Sequence, residues 1–285
     1  MNELDLKSSN KSKRSAGGRF VEVLDIEKLD AAFPEKAVKR FELSKKARIK
    51  RCDLLIVGGG TGGVAAALTA AAAGLKVCLS EETSWLGGQL STQGVSALDE
   101  NYLVESSGAT RSYKAFRNAI RAHYRALGAV DGAARFEPYL DPGNCWVSRL
   151  AFEPKVAVKI LADLLKPYIE AGNLELFMRS QAFSIRKSEQ KIKAVQCIDL
   201  DSAKVIEFRP RFCIDATELG ALLPLANIEY RSGAESRQET GEAHAPEHAN
   251  PENVQDYTYP FVLEFCPSEN HCIEKPPFYD EFLQQ

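Results

Sequence analysis

A cluster of five glycines within the six residues 58–63 constrains the fold of this chain more than any other feature. The preceding residues, 53–57, are Asp-Leu-Leu-Ile-Val, an apolar run typical of a buried β-strand. Residues 64–74 are rich in alanine and end in glycine, as expected for a helix, and residues 75–80 are again strand-like. Two parallel strands need such a crossover helix between them. The segment therefore predicts a β-α-β unit and an α/β fold built on a parallel sheet.

The glycine spacing is the one that a bound dinucleotide requires. Gly58 permits a tight turn off the strand, Gly60 lets the backbone approach a pyrophosphate, and Gly63 allows the helix to pack closely on the strand. The helix N-terminus adds unpaired N–H groups and a partial positive charge. Glu81 stands 18 residues beyond Gly63, at the end of the second strand, where a carboxylate can accept hydrogen bonds from a ribose hydroxyl. That carboxylate disfavours NADP, whereas both NAD and FAD fit the fingerprint.

A second glycine pair follows within Trp85-Leu-Gly87-Gly88-Gln89-Leu90. We expect this pair to let the chain pass close to the bound dinucleotide, on the side opposite the first turn. With the glycine cluster and Glu81, it resembles the FAD-dependent oxidoreductases of the glutathione-reductase-like superfamily, which has two dinucleotide-binding domains. The resemblance implies FAD as the cofactor and a Rossmann-like parallel sheet with a three-stranded antiparallel meander. The alternating segment 182–208 fits that meander.

The resemblance also implies an Ala-Thr-x-x-Gly turn that touches the cofactor after the meander. Residues 215–226 read Asp-Ala-Thr-Glu-Leu-Gly-Ala-Leu-Leu-Pro-Leu-Ala, and they are most similar to a bacterial subfamily of FAD-dependent oxidoreductases. The related flavoproteins place an aspartate after the last glycine of this turn, where this chain has Ala221. Loss of that charged hydrogen bond would cost about 1.5–3 kcal/mol, or roughly tenfold to a hundredfold in affinity. We expect weakened FAD binding.

The residues expected to bind the cofactor come from the glycine turn, the end of the second strand, the second glycine pair, and the two ends of the meander. They are Gly58, Gly60, Thr61, Gly62, Gly63, Glu81, Glu82, Gly87, Gly88, Gln89, Ala182 and Thr217. The resemblance places the backbone near Ala182 beside the adenine. No catalytic residue is assigned, because flavin performs the hydride chemistry itself.

We expect no metal site and no disulfide framework. The seven cysteines contain no CxxC pair and are odd in number, which favours reduced thiols. His244 and His248 have helical spacing, but Pro246 between them argues against a helix. A disulfide-reductase mechanism is disfavoured, since no CxxxxC dithiol lies near the second glycine pair.

Charge and composition suggest how the chain is organised. Residues 1–51 contain 14 Lys and Arg against 8 Asp and Glu, a net charge of +6, so that the remainder carries −9. We expect a basic, partly disordered N-terminal extension over residues 1–50. An FAD-binding domain follows over 51–225, with an irregular and helical insertion at 95–150. Residues 226–285 are expected to form part of a substrate domain.

Several elements are predicted from local patterns. The basic run 36–51 is expected to form a short helix, and residues 113–127 and 155–171 longer ones. Separate strands are expected at 174–177, 211–217 and 257–265. The longest apolar stretch, 64–73, has ten residues, well short of the roughly 18 that span a bilayer. We therefore expect a cytoplasmic protein with no membrane partner. We also expect no nucleic-acid partner, because the basic leader, residues 1–51, has few aromatic residues to stack on bases.

The leading prediction is an FAD-dependent oxidoreductase that acts on a small organic molecule. The alternative is a non-catalytic or split-gene dinucleotide-binding fragment that needs a second chain to complete the flavin site. The alternative rests on Ala221 and on length, since related enzymes continue through a substrate domain and a return segment, so that the chain resembles a C-terminally shortened member. A second chain or a homo-oligomer is accordingly a possible partner. An NAD-dependent dehydrogenase is disfavoured, because no histidine or lysine pocket follows the first domain.

Overall fold

The computed structural model describes residues 13–15, 18–28, 33–43, 46–95, 97–128, 132–256, 260, 263 and 266–284. Within them the strands are β1 (Lys13–Ser15), β2 (Gly18–Leu24), β3 (Val38–Glu42), β4 (Arg48–Val57), β5 (Val77–Ser80), β6 (Leu174–Phe177), β7 (Ser180–Ser188), β8 (Lys191–Asp199) and β9 (Val205–Asp215). The helices are α1 (Thr61–Ala72), α2 (Arg111–Leu127), α3 (Pro154–Glu170), α4 (Leu222–Leu225), α5 (Arg237–Thr240) and α6 (Tyr279–Leu283). Short 3-10 helices lie at Ile26–Lys28, Pro34–Ala37, Gly88–Leu90 and Gly132–Phe136.

The centre of the molecule is a six-stranded sheet with the strand order β6-β5-β4-β9-β8-β7. Strands β6, β5, β4 and β9 run parallel, whereas β7, β8 and β9 pair antiparallel as a meander. The carboxyl ends of β4, β5 and β9 therefore meet at one edge, where ligands bind in open α/β sheets. The predicted α/β fold with a Rossmann-like parallel sheet and a meander is confirmed.

Side-chain alternation along β4 divides the core in two. Leu54 and Ile56 point to one face of the sheet and pack with α1, α2 and α3. Leu55 and Val57 point to the other face, where they meet apolar side chains of the meander such as Phe208. A strand buried on both faces reads as a continuous apolar run, which is why 53–57 was recognisable in the sequence.

Most of the predicted elements match the structure closely. Helices α2 and α3 begin within two residues of the predicted starts, and β6 has the predicted bounds. The predicted strand at 211–217 is not separate, because β9 runs continuously through Pro210 from the meander into the parallel sheet. The predicted strand at 257–265 lies largely outside the described residues.

The leader forms a sheet of its own in its described part. Strands β1, β2 and β3 pair antiparallel, and Val21 and Val23 of β2 are buried against Phe183 and Ile198 of the meander. The helix predicted at 36–51 is wrong, since this segment supplies β3 and the start of β4. Pairing with neighbouring strands outweighs the local pattern there. No helix in the described residues is long and apolar enough to cross a membrane.

Candidate dinucleotide site

The glycine turn between β4 and α1 is shaped by close backbone contacts. Gly58 has a φ of +102°, and a Cβ atom there would lie 2.2 Å from the carbonyl oxygen of Ala216. A Cβ atom on Gly63 would lie 2.0 Å from the carbonyl oxygen of Gly58. The amide of Gly58 in turn donates to the carbonyl of Ser80, at 2.8 Å. Both glycines are therefore required by the local packing of β4, α1 and the end of β9.

The N-terminus of α1 is open at the carboxyl edge of the sheet. Gly60 is the N-cap residue and gives the helix no side-chain cap, while Thr61 and Gly62 are exposed. A Cβ atom on Gly62 would meet nothing within 4 Å. The first amides of a helix have no intrahelical acceptor and carry the positive end of its dipole. These amides could therefore hold a phosphate group.

Glu81 is buried and held by three hydrogen bonds. Its Oε2 accepts from the amide of Gly59 at 2.6 Å, and its Oε1 accepts from the amide and the hydroxyl of Thr83 at 2.8 and 2.7 Å. Only 9% of the residue is exposed. The carboxylate thus lies against the glycine turn, and its position is fixed by backbone donors on both sides. Its predicted contact with a ribose hydroxyl stays a prediction.

Glu82 is half-buried next to it. Burial, together with the neighbouring charges of Glu81 and Glu218, raises the pKa of Glu82 to about 7. One hydrogen bond, from Nε2 of Gln181 at 3.1 Å, opposes that shift. Glu82 is therefore the group of this site whose charge changes near neutral pH.

The second glycine pair packs directly on the first turn. The amide of Gly87 donates to the carbonyl of Gly59 at 2.8 Å, and Thr61 Oγ1 donates to the carbonyl of Gly87 at 3.0 Å. Gly88 lies so close to Gly60 that a Cβ atom on Gly88 would be 3.1 Å from the Gly60 Cα. The two glycine segments are therefore hydrogen-bonded neighbours. The expectation that the second pair flanks the dinucleotide from the opposite side stays a prediction.

The turn after β9 is held by Asp215 and Thr217. The Asp215 carboxylate accepts hydrogen bonds from the amide and hydroxyl of Thr217 and from the amide of Leu222. Thr217 Oγ1 accepts from the amide of Ala221 at 2.7 Å. Thr217 therefore shapes the turn that Gly58 contacts, and Ala221 presents only a backbone amide to it.

Glu218 lies at the candidate site, although the sequence did not predict it there. Its Oε1 would lie 2.8 Å from a Cβ atom on Gly60 and 2.7 Å from one on Gly88. The carboxylate of this exposed residue thus fills the space between the two glycine segments, beside the open end of α1. Its place in the Ala-Thr-x-x-Gly turn is the sequence feature from which Glu218 could have been assigned to the site.

The remaining predicted residues occupy different places. Gln89 is half-buried and lines a cleft of about 240 Å³ together with Thr61, Glu100 and Tyr113. Ala182 is 5% exposed and packs in the core between the sheet and the meander, so its side chain does not join the group at the glycine turn. Its predicted position beside the adenine stays a prediction.

The wall of this cleft is fixed by buried charges on α2. Arg117 and Arg121 are 1% and 2% exposed. Both guanidinium groups form ion pairs with Glu105, and Arg117 also pairs with Glu100. Tyr113 donates a hydrogen bond of 2.5 Å to Glu100. Paired charges of this kind tie the irregular segment after the second glycine pair to α2 and give the cleft a rigid side.

Residues 53–283 match the family described as FAD dependent oxidoreductase. The chain belongs to this family. FAD is therefore its cofactor, and the chain is a flavoprotein with a Rossmann-type nucleotide-binding fold. The residues of the site fit this group, because the open amides of α1, the glycine cradle and the carboxylate of Glu81 are the donors and acceptors that a dinucleotide needs.

Individual proteins are similar over shorter ranges. A stretch of 112 residues is 32% identical to a 3-oxosteroid 1-dehydrogenase of Rhodococcus opacus and covers 39% of this chain and 21% of that protein. The L-proline dehydrogenase from P. horikoshii aligns over 61% of this chain and 24% of its own, with 18% identity and a TM-score of 0.34. The adenylylsulfate reductase from Archaeoglobus fulgidus aligns over 62% and 32%, with 22% identity and a TM-score of 0.40. The chain thus spans about a fifth to a third of the length of these proteins.

Proposed function

We propose that the chain acts as an FAD-dependent oxidoreductase that transfers a hydride or electrons between a small organic substrate and bound flavin. The observation that carries the proposal is the juxtaposition of the open N-terminus of α1 with the buried carboxylate of Glu81 at the carboxyl edge of a parallel sheet. The bound FAD would supply the redox chemistry, and the protein would supply binding and orientation.

Each end of the site has a distinct role in this proposal. The amides at Thr61 and Gly62 would hold the pyrophosphate, with Gly58, Gly60 and Gly63 keeping the backbone close to it. Glu81 would accept hydrogen bonds from the adenosine ribose. Gly88 and Gln89 would lie where the cofactor continues toward the cleft of about 240 Å³.

We also propose the wider assignment that the motifs suggest. The combination of a parallel sheet, a meander between β6 and the last parallel strand, and the second glycine pair supports membership of the glutathione-reductase-like superfamily. Residues 226–285 would belong to a substrate-binding domain, and a small organic molecule would bind between that domain and the flavin.

The test is to purify the protein, reconstitute it with FAD and record its redox spectrum. Bound flavin should give a yellow protein with a band at about 450 nm that dithionite bleaches and air restores. Anaerobic mixing with small organic substrates should bleach the same band if the substrate donates a hydride. Asp163→Ala, which replaces an exposed residue of α3, is the matched control for loss of FAD during purification and reconstitution. A protein that binds FAD but is bleached by no substrate would refute the oxidoreductase activity and leave the cofactor site intact.

A second candidate is a dinucleotide-binding chain that needs another chain to complete the flavin site. Leu219 favours it, because this apolar residue follows Glu218 at the edge of the site and is 93% exposed. Trp146 is 94% exposed and would likewise be covered by a partner. Under this hypothesis the isolated chain binds FAD with its isoalloxazine open to solvent, so iodide should quench the flavin fluorescence as readily as that of free FAD.

A further inference from the structure

The described part of the leader contacts the loop that follows β5. Strand β2 ends at Leu24, and the next residues, 25–27, lie beside loop 81–84, the loop that carries Glu81 and Glu82. These leader residues precede residue 53, where the family match begins. The leader residues of this contact therefore lie outside the part of the chain that matches the family.

Asp25 is the centre of this contact. It is 0% exposed, and its two carboxylate oxygens accept hydrogen bonds of 2.7 Å each from the two terminal nitrogens of the Arg179 guanidinium. Lys39 of β3 adds a third donor, at 2.5 Å. The hydrogen-bonded Arg179 and Lys39 hold the pKa of Asp25 well below its usual range. The buried pair is thus fully ionised and bidentate, the geometry that fixes both side chains most firmly.

Arg179 connects Asp25 to loop 81–84. Its backbone amide donates to the carbonyl of Thr83 at 3.1 Å, and its guanidinium reaches the carbonyl of Glu82 at 3.5 Å. The next residue, Ser180, donates its amide to the carbonyl of Glu81 at 2.8 Å. Every residue from 81 to 83 is therefore hydrogen-bonded to the turn that Arg179 occupies.

The backbone of Arg179 is in an uncommon conformation. Its φ is +52°, in the left-handed region where glycine is the favoured residue. A non-glycine residue persists in such a conformation only when its surroundings hold it there. The arginine side chain at this position is explained by its bonds to Asp25 and to loop 81–84.

A second tie joins the leader to the end of the loop. The amide of Ser84 donates to Oε1 of Glu27 at 2.6 Å, and Oε2 of Glu27 lies 3.1 Å from the Arg179 guanidinium. Glu27 is more exposed than Asp25, so a substitution of Glu27 removes this hydrogen bond with less disturbance of the core. Leader residues therefore hold the loop at two points, through Arg179 and directly at Ser84.

We propose that Asp25 and Glu27 of the leader are positioning residues for FAD, which hold loop 81–84 so that Glu81 meets the adenosine ribose. This inference rests on the proposed role of Glu81. The described leader residues Asp25 and Glu27 would act on the cofactor through loop 81–84, to which Arg179 and Ser84 connect them. Their contribution is to the affinity for FAD, not to the redox step.

The test compares three variants of the full chain. Asp25→Asn removes the charge from the buried pair, and Glu27→Ala removes the acceptor for Ser84. Val23→Ala is the matched control, since Val23 is 1% exposed, lies in β2 just before Asp25 and packs on the meander. The dissociation constant for FAD is measured by quenching of flavin fluorescence, and amide hydrogen exchange is followed across residues 81–84 in the apo protein.

Asp25→Asn should raise the dissociation constant roughly tenfold and Glu27→Ala several-fold, as expected for residues in one coupled network. Both should speed exchange of the amides in loop 81–84. Val23→Ala should lower the melting temperature but change the dissociation constant less than about twofold, because independent sites do not couple. If Asp25→Asn does not fold, Glu27→Ala decides.

Two results would overturn the inference. One is unchanged exchange in loop 81–84 when Asp25 or Glu27 is replaced. The other is an effect of Val23→Ala on FAD affinity as large as that of Asp25→Asn, which would show that leader stability alone matters. A wild-type chain that does not bind FAD would refute the proposed cofactor site instead, and the exchange data on the apo protein would still decide whether the leader orders the loop.

Discussion

The backbone amide of Gly59 donates a hydrogen bond of 2.6 Å to the buried Oε2 of Glu81. This bond joins the glycine turn after β4 to the loop after β5, so that the two parts of the nucleotide fingerprint form one unit before any cofactor binds. Two residues that are 22 positions apart in the chain thus hold each other in place. The bond also makes Glu81 a structural residue as well as a proposed ligand.

Replacing Glu81 by glutamine should therefore lower stability as well as FAD affinity. A carboxamide offers one oxygen, whereas Gly59 and Thr83 donate to both oxygens of the carboxylate, so one buried donor loses its acceptor. The free energy of unfolding should fall by about 1–3 kcal/mol. Urea denaturation of the apo protein measures this directly. An unchanged unfolding midpoint would contradict the view that the carboxylate holds the turn.

Two glycines of the same turn should respond differently to alanine. A methyl group on Gly63 would lie 2.0 Å from the carbonyl oxygen of Gly58, a backbone atom, so Gly63→Ala should destabilise the fold by roughly 1–3 kcal/mol or more. Gly62→Ala is the matched control, since a methyl group there meets nothing and alanine favours the helix by about 0.5–1 kcal/mol. Thermal melts of the two apo variants should move in opposite directions. A stable Gly63→Ala variant would refute the close approach of α1 to the turn.

The raised pKa of Glu82 predicts how stability depends on pH. A carboxyl group whose pKa is about 7 in the folded state and 4.5 in the unfolded state binds more protons when folded. Its contribution to stability is therefore present at low pH and is lost as the pH rises from about 4.5 to 7. The pKa of Asp25 is lowered by folding, so its contribution to stability is lost as the pH falls. That loss occurs well below the pH range in which Glu82 titrates. Between pH 5 and pH 8 the melting temperature of the apo Glu82→Gln variant should therefore fall less than that of the apo wild type. Identical pH profiles for the variant and the wild type would contradict the raised pKa of Glu82.

Glu218 should oppose FAD binding. Its carboxylate fills the space between Gly60 and Gly88, where the pyrophosphate is proposed to lie, and two anions repel each other there. Glu218→Gln should tighten FAD binding about threefold to tenfold at low salt, the size expected for one charge near a surface site. High salt should shrink the difference. Glu170→Gln, at the far end of α3, is the control that changes net charge by the same amount. Weaker binding by Glu218→Gln would mean that the carboxylate contacts the cofactor favourably.

The β-α-β unit could be predicted from the sequence because the patterns that specify it lie within one short segment of the chain. The glycine turn, α1 and the strands on either side of it are defined by about 30 adjacent residues, and the apolar run of β4 reflects burial on both faces. The glycine spacing predicted the close packing of α1 on β4 for the same reason, since Gly58 and Gly63 meet within one turn of the chain.

Long-range pairings could not be predicted in this way. Asp25 and Arg179 are 154 positions apart, and neither residue carries a local signal of its partner. Strand β9 continues through Pro210, which reads as a break in the sequence. Its pairing with β8 ends at Phe208, so the missing N–H of the proline costs no hydrogen bond to that neighbour. Glu218 belongs to the Ala-Thr-x-x-Gly turn, but only the fold brings its carboxylate between Gly60 and Gly88.

The central claim is that this chain binds FAD through Glu81 and the glycine turn, and the most direct measurement is the identity of the nucleotide released from the purified, FAD-reconstituted protein. Heat denaturation followed by mass spectrometry of the supernatant should yield FAD from the wild-type chain and from Asp163→Ala. The same treatment should yield little or none from Glu81→Ala. A wild-type protein that retains no FAD, or a Glu81→Ala protein that retains as much as the wild type, would contradict the account.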